Sequence, residues 1–301
     1  MHSKLIVGYD GSEHARDALA FAKRLGAALN RDLVLANVYP GRPRLIPGKA
    51  DVDGFFNILE RDAGQVLGDA PADAGSERRT VGASSPARGL NDLADEIDAA
   101  IIVVGSAHRG MLGHVEAGHT AQHLLHGAPC AVAVAPAGYA AAETKPHRRV
   151  AVGVNGTPEA GVALDAAVEM ARTLEATLRI VAVADPVWSG APLYAPPVDV
   201  ARLMRETAQE DLAAAAAATP DDVAVEQVLL EGDATALLAD QGDCDLVVVG
   251  SRGYGRVKGV LLGSVSSKVV RGGKTPVLVV PREANVPVAA ASIPGAAPVA
   301  G

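Results

Sequence analysis

A glycine-rich, basic segment late in the chain contains the residues with the clearest chemical potential. It follows four apolar residues, 246–249, and reads GSRGYGRVKGVLLGS over 250–264. Glycines let a backbone approach a ligand closely, and the apolar-periodic stretch that opens at Gly263 and Ser264 predicts a helix. Free N–H groups in the first turn of a helix attract anions. The segment therefore predicts a phosphate-binding loop, whose positive charge comes from Arg252, Arg256 and Lys258.

The elements that would position this loop occur twice, because three blocks of sequence recur after one shift of 145 residues. The repeated pairs are LIVGYDGS from Leu5 and VAVGVNGT from Val150, IIVVGS from Ile101 and LVVVGS from Leu246, and AVAVAP from Ala131 and PVLVVP from Pro276. Chance similarity would not keep one register at three separate places. The chain is therefore predicted to hold two copies of one domain.

Apolar strands alternate with helical stretches in each copy, which predicts an α/β fold with parallel sheets. The first copy has predicted strands at 4–9, 32–38, 77–82, 100–104 and 130–135, with helices at 12–30, 52–68, from 86, and 118–126. The second has predicted strands at 148–154, 177–183, 224–230, 245–249 and 276–280, with helices at 157–174, 197–218, 233–241 and 263–271. The fold class is two tandem doubly wound domains, each a five-stranded parallel sheet with helices on both faces.

The repeat also sets the predicted domain boundaries. The first domain covers 1–137, a linker of small and polar residues covers 138–147, and the second domain covers 148–283. The Pro-, Ala- and Gly-rich residues 284–301 predict a disordered tail. Strand five of each copy is apolar and near a sheet edge. We therefore expect these last strands to pair the two domains as a pseudo-dimer, and to mediate homodimerisation.

A ligand in such a sheet is expected where strands one and four lie side by side. Ligands of open α/β sheets bind at the carboxyl ends of the strands, where the winding reverses direction. Asp10 ends strand one in the first copy, and Asn155 takes that place in the second. The glycine loops follow strand four, so each cleft has an acceptor side chain on one side and a phosphate loop on the other.

The loop of the second copy fits the pattern G-x2-G-x9-G-[S/T] through Gly250, Gly253, Gly263 and Ser264. This pattern resembles the ATP-binding signature of the universal stress protein family. The VGYDGS start of the first copy, its counterpart in the second and the final PVLVV are similar to that family's first and last strands. The resemblance covers both copies and is closest to the tandem members. It implies the strand order 3-2-1-4-5, ATP with or without Mg²⁺ as the ligand, and a stress-response regulator or sensor that signals to protein partners.

The resemblance also implies roles for single residues. Asp10, or Asn155 in the second copy, would hold the ribose or adenine side, and Val38 and Val183 would offer backbone groups to adenine. Ser264 and Val265 would give N–H groups at the helix start. Further implied nucleotide contacts are Gly105, Gly118 and His119 in the first copy, and Gly250, Arg252, Gly253, Gly263 and Ser266 in the second.

Each copy departs from the pattern in its own way. The first copy keeps Gly105 and Gly118, but His108 stands where Gly253 stands and His119 where Ser264 stands. A glutamate also enters that loop, and a histidine at a glycine position would be strained if positive φ is needed. The second copy keeps the loop and replaces the aspartate with an uncharged asparagine. The two copies are therefore predicted to have different roles, with nucleotide binding favoured in the second.

Composition limits the partners and the compartment. The net charge of −8 argues against nucleic acid, which needs a basic face. No run approaches the roughly 18 apolar residues of a membrane span. The start, MHSKLIVGYDGS, has no signal-peptide pattern, and two cysteines, Cys130 and Cys244, make no disulfide framework. These features predict a cytoplasmic protein with packed thiols.

Three alternatives remain open from the sequence. A histidine-rich patch, His108 to His126, is interpreted as solvated side chains, with a pH-sensitive loop second and a metal site third, because no ligand set completes it. No motif for catalysis is recognised, so binding is favoured over turnover, and the enzyme alternative is a slow ATPase, autophosphorylation or a nucleotide-dependent transferase. The last alternative is a scaffold with vestigial nucleotide sites.

Overall fold

The computed structural model describes residues 3–42, 51–73, 77–106, 119–125, 127–142, 147–185, 197–251, 266, 268–270 and 273–281. The first copy contains β1 (Leu5–Gly8), α1 (Glu13–Leu29), β2 (Leu33–Pro40), α2 (Asp51–Gly68), β3 (Glu77–Ala83), α3 (Pro86–Ile97), β4 (Ile101–Gly105), α4 (His119–Leu124) and β5 (Ala131–Ala135). The second contains β6 (Arg149–Val154), α5 (Pro158–Thr173), β7 (Thr177–Ala184), α6 (Pro197–Ala218), β8 (Val225–Glu231), α7 (Ala234–Ala239), β9 (Leu246–Gly250) and β10 (Val277–Val280).

The ten strands form one continuous sheet in the order β3-β2-β1-β4-β5-β10-β9-β6-β7-β8. Each half has the predicted order 3-2-1-4-5, and neighbouring strands within a half run parallel, as in the pairs Leu5 with Leu33 and Val150 with Leu246. The predicted fold class is confirmed. The first strand of each copy lies beside the fourth, so the winding reverses between them.

Central strands are buried on both faces because helices cover both sides of the sheet. Leu5 and Val7 point to the core beneath α1 and α2, whereas Ile6 points to the opposite core beneath α3 and α4. This explains why the strands read as unbroken apolar runs and not as alternating patterns. The first core extends under α5 and α6, so the two copies share one layer on that face.

Short polar side chains begin the helices that follow strand one. The Ser12 hydroxyl accepts a hydrogen bond from the Ala15 N–H at 3.2 Å, and the Thr157 hydroxyl accepts one from the Ala160 N–H at 3.3 Å. These N-caps satisfy orphan donors of the first turn. The predicted helix starts at Ser12 or Glu13 and at Pro86 are confirmed. The third helix is shorter in the second copy, where α7 has 6 residues against 12 in α3.

The two copies join through their last strands. β5 and β10 pair antiparallel, with Leu278 opposite Ala133, so the predicted pseudo-dimer is confirmed. The prediction that the same strands also mediate homodimerisation is wrong in its geometry. Each last strand already has a neighbour on both sides within the chain, and it has no free edge for a second copy.

The segment after β5 is docked on one face of α1. The Asp17 carboxylate, which is 4% exposed, accepts hydrogen bonds from the N–H groups of Gly138 at 2.8 Å and Ala140 at 2.7 Å. The Tyr139 ring meets Phe21 edge-on with 5.5 Å between centroids, and Arg24 donates to the Tyr139 hydroxyl at 3.0 Å. Positions 17, 21 and 24 share a helix face. The start of the predicted linker is therefore an ordered contact.

Both cysteines are buried apart from one another, as packed thiols. Burial raises the pKa of Cys130 to about 12 and that of Cys244 to about 11, because a thiolate loses its hydration there. Among the described residues, no helix combines the length and the apolar content that crossing a bilayer requires.

Candidate functional site

The turn after β1 presents the first predicted site residue. The Asp10 carboxylate accepts a hydrogen bond from the Ser12 N–H at 3.0 Å, which fixes its position at the carboxyl end of the strand. Gly11 has φ of +79°, and Val66 of α2 lies 3.3 Å from where its Cβ would be. A side chain at this position would be strained, so glycine keeps the turn tight and leaves Asp10 exposed above it.

The end of β2 brings the second predicted residue to the same edge. Asn37 is buried, and its side-chain amide donates a hydrogen bond to the Tyr9 carbonyl oxygen at 2.9 Å. This contact links the ends of β1 and β2 directly and sets Val38 beside the Asp10 turn. Sequence reasoning missed Asn37. An asparagine inside an apolar strand run was the available signal, because a buried amide needs a partner.

The glycine that ends strand four is required by packing in both copies. A Cβ on Gly105 would lie 2.2 Å from the carbonyl oxygen of His14, in the first turn of α1. A Cβ on Gly250 would lie 2.4 Å from the carbonyl oxygen of Glu159, in the first turn of α5. Neither distance is tolerable. The first glycine of the motif therefore lets the helix after strand one approach the end of strand four.

A cleft of about 300 Å³ opens where these elements meet in the first copy. It brings together Asp10, Val38 and Gly105, which come from the ends of three different strands. Its walls are mostly apolar, and the residues that form them are Ala15, Ala36, Val38, Pro86, Leu90, Val104 and Ala121. Its polar contributors, besides Asp10, are Ser12, His14, Ser106 and Thr120.

Ser106 is one of the polar residues of this cleft that the sequence analysis did not single out. Its N–H donates to the Ala135 carbonyl oxygen at 2.9 Å, and Ser251 makes the same contact with Val280 in the second copy. The Ser106 side chain is buried, and its hydroxyl has no hydrogen-bond partner among the described residues. The VVGS ending shared by both fourth strands was the signal that could have drawn attention to it.

The second copy arranges the corresponding groups differently. The Asn155 side-chain oxygen accepts a hydrogen bond from the Thr157 hydroxyl at 2.7 Å, within the turn after β6. The Ser266 hydroxyl donates to the Gly250 carbonyl oxygen at 2.8 Å, so the predicted site residue Ser266 contacts the predicted site residue Gly250. Val183 lies at the end of β7, which neighbours β6. These groups converge on one edge of the sheet.

An acidic side chain that the sequence did not single out lies beside this turn. Gly156 has φ of +67°, and a Cβ there would meet the Asp211 carboxylate of α6 at 2.5 Å. Partial burial, with a smaller contribution from Glu210, raises the pKa of Asp211. The first copy has Val66 at the equivalent position. The second copy therefore lacks the aspartate at the strand end but has one below the turn.

The loop residues predicted to contact phosphate lie outside the described residues. These are Gly118 in the first copy and Arg252, Gly253, Gly263, Ser264 and Val265 in the second, together with the side chain of His119. His123 alone of the predicted histidine patch has a described side chain, and it is exposed. The phosphate-binding roles of the loop residues and the interpretation of the histidine patch stay predictions.

These features define a class: tandem doubly wound α/β domains, with a cleft at the carboxyl ends of strands one and four in the first copy. Residues 1–136 and 146–281 each match the model of the universal stress protein family. The chain therefore belongs to the universal stress protein family, and it contains two copies of the family domain.

Known proteins of similar length support this assignment. The chain is 27% identical over 291 residues to universal stress protein Rv2005c of Mycobacterium tuberculosis, covering 91% of this chain and 96% of the relative. It is 29% identical to a universal stress protein of Mycolicibacterium smegmatis, covering 92% and 96%. The crystal structure of a universal stress protein from Archaeoglobus fulgidus superposes with a TM-score of 0.66 at 20% identity, covering 93% and 98%, and shows the same fold.

Proposed function

We propose that the chain binds an adenine nucleotide at the carboxyl ends of strands one and four, and acts in stress response as a nucleotide-dependent regulator. The observation that carries this proposal is the first-copy cleft, which gathers Asp10, Val38 and Gly105 from three strands. In the sequence, Val38 and Gly105 lie 67 positions apart, and Asp10 and Gly105 lie 95 positions apart. Their meeting in one cavity supports a shared ligand.

The chemistry of the cleft fits a nucleoside. Apolar walls, such as Val38, Leu90 and Val104, suit the faces of a purine ring, which gains by leaving water. The Asp10 carboxylate accepts hydrogen bonds and would take them from the two hydroxyls of a ribose. Its own tie to the Ser12 N–H uses one oxygen, Oδ1. The second carboxylate oxygen would accept a hydrogen bond from a ribose hydroxyl.

The second copy would supply the stronger phosphate contacts. Its loop keeps the full glycine pattern and the cationic residues Arg252, Arg256 and Lys258. Cationic side chains and helix-start N–H groups together favour a triphosphate, since charge-assisted hydrogen bonds to phosphate are stronger than neutral ones. We assign ATP, with or without Mg²⁺, to this copy. Asn155 would hold the sugar side without adding a negative charge.

The difference between the copies is the basis of the regulatory proposal. One copy offers a carboxylate and an altered loop, whereas the other offers an amide and an intact loop. Two unequal sites in one sheet would respond to different nucleotide concentrations, and a cytoplasmic partner protein would read the combination. A homodimer, if formed, would have to use a surface other than the last strands.

The test starts from the full chain purified without added nucleotide. Released nucleotide is identified after denaturation, and ATP stoichiometry is measured by calorimetry for wild type, Asp10→Ala and Gly253→Ala. If both copies bind, wild type is expected to bind two equivalents of ATP, and each variant is expected to lose one of them. Loss only in Gly253→Ala would restrict the site to the second copy. No bound nucleotide and no measurable ATP affinity would overturn the proposal and favour a scaffold.

Turnover is measured on the same samples. The binding role predicts phosphate release slower than about one per minute. Faster release that disappears in Gly263→Ala would replace the binding role with that of an ATPase.

A further inference from the structure

Ser106 combines near-complete burial with a hydroxyl group that no described residue pairs. The residue is 2% exposed, and it follows β4 directly, where its backbone N–H is used by the Ala135 carbonyl oxygen at 2.9 Å. The hydroxyl has no hydrogen-bond partner in the part of the chain that the structure describes. Buried polar groups are nearly always paired, so an unpaired hydroxyl weakens the fold unless something else supplies a partner.

The position of Ser106 shows where that partner would come from. Ser106 lines the first-copy cleft, together with Asp10 and the apolar wall. A hydroxyl can turn about its C–O bond to donate to an oxygen placed in the cleft. No described group accepts a hydrogen bond from this hydroxyl, and a ligand oxygen in the cleft would be an acceptor within its reach.

The second copy has a hydroxyl donor at another position near the end of its fourth strand. There, Ser266 donates to the Gly250 carbonyl oxygen at 2.8 Å, which satisfies its own hydroxyl within the protein. The equivalent residue in the first copy is Ala121, which lines the cleft and has no donor. Within the described residues, the first cleft therefore has one hydroxyl without a partner, that of Ser106, and an alanine where the second copy has a serine.

We propose that Ser106 is a ligand-binding residue of the first copy, and that its hydroxyl donates to an oxygen of the nucleoside monophosphate part of the bound nucleotide. This inference rests on the proposed function. Asp10 accepts hydrogen bonds, whereas Ser106 supplies one, so the two side chains recognise complementary groups of the same ligand. The second and third phosphates are not needed for this contact. The first site therefore recognises AMP as well as ATP through Ser106.

The test compares Ser106→Ala with wild type in the full chain, with AMP, ATP and adenosine as probes in calorimetry. Asp10→Ala identifies the first site. At that site, Ser106→Ala should weaken AMP and ATP by the same factor, about tenfold for one lost hydrogen bond. An equal loss with adenosine places the accepting oxygen on the sugar, and no loss with adenosine places it on the first phosphate. In an Asp10→Ala background, Ser106→Ala should cause no additional loss.

Thermal unfolding without nucleotide separates this role from a structural one. Removing an unpaired buried hydroxyl should leave the midpoint of Ser106→Ala at or above that of wild type. Ser251→Ala, the matched change in the second copy, should leave the Asp10-sensitive site at its wild-type affinity.

Two results would overturn the assignment while leaving the proposed function intact. The first is wild-type AMP and ATP affinity in Ser106→Ala. The second is a lower unfolding midpoint with a matching loss of affinity for every probe, which a damaged fold would produce. If wild type binds no adenine nucleotide at all, the proposed function fails and the Ser106 assignment fails with it.

Discussion

Replacing Gly105 with alanine tests whether the first motif glycine serves packing or the ligand. The new Cβ would lie 2.2 Å from the His14 carbonyl oxygen, whereas ordinary contact begins near 3.4 Å. The first turn of α1 would therefore have to move by about 1.2 Å. Because the obstructing atom belongs to the backbone, a flexible side chain cannot relieve the clash. Overpacking of this kind costs about 1–3 kcal/mol, and we expect a loss of about 3 kcal/mol in the free energy of unfolding.

The assay is urea unfolding of Gly105→Ala in the absence of nucleotide. The control is Gly64→Ala in α2, where the nearest atom to a new Cβ is 3.9 Å away. That control should be stabilised by about 0.5–1 kcal/mol, as for glycine in a helix interior. Gly250→Ala should behave like Gly105→Ala, since its Cβ would lie 2.4 Å from a backbone oxygen. A Gly105→Ala protein as stable as wild type, but deficient in nucleotide binding, would refute the packing explanation.

Three further predictions follow from single contacts. Asp17→Ala leaves two N–H groups of the docked segment without their carboxylate, and should lower the free energy of unfolding by about 2–4 kcal/mol in urea titrations. The control is Asp165→Ala at an exposed position, which should lower it by less than about 0.5 kcal/mol. Ser266→Ala removes the hydrogen bond to Gly250 and should cost about 1 kcal/mol by the same measurement; no change would mean that the contact does not stabilise the second copy. The thiol of Cys130 has a pKa raised by burial to about 12, so it should react with a thiol reagent at pH 8 only after unfolding. Because the pKa of Cys130 is raised in the folded state, the stability that the protonated thiol contributes is complete below the ordinary cysteine pKa and is lost as the pH rises toward about 12. Alkaline unfolding curves of wild type and Cys130→Ala would measure this loss.

Much of the fold was predictable because the sequence contains two copies of the same domain. Strands buried on both faces leave unbroken apolar runs, and a shared shift of 145 residues shows that each run has a counterpart. The pairing of β5 with β10 followed from two apolar strands that each needed a neighbour. The further prediction, that the same strands would also form a homodimer, was wrong because the pairing of β5 with β10 occupies the edge that each of these strands would have offered to a second chain.

Contacts between residues far apart in sequence were not predictable. Asp17 reads as one more polar residue in a helix, yet its carboxylate is buried under the segment at 138–140. Its partners are backbone N–H groups, and because nearly every residue type has one, the sequence does not indicate which of them will bind a side chain. Asn37 and Ser106 were missed for a related reason. Each is a common residue whose importance comes from where the topology places it, beneath Tyr9 in one case and in the cleft in the other.

The joined sheet explains why the two copies were free to diverge. In a symmetric homodimer every substitution appears in both sites, so one site cannot change without the other. Here the antiparallel pair of β5 and β10 always joins a first copy to a second copy within one chain. Asp10 and Ala121 can therefore differ from Asn155 and Ser266 while the interface stays the same. The fold joins the two copies in one sheet and allows the carboxyl ends of strands one and four to take a different set of polar groups in each copy.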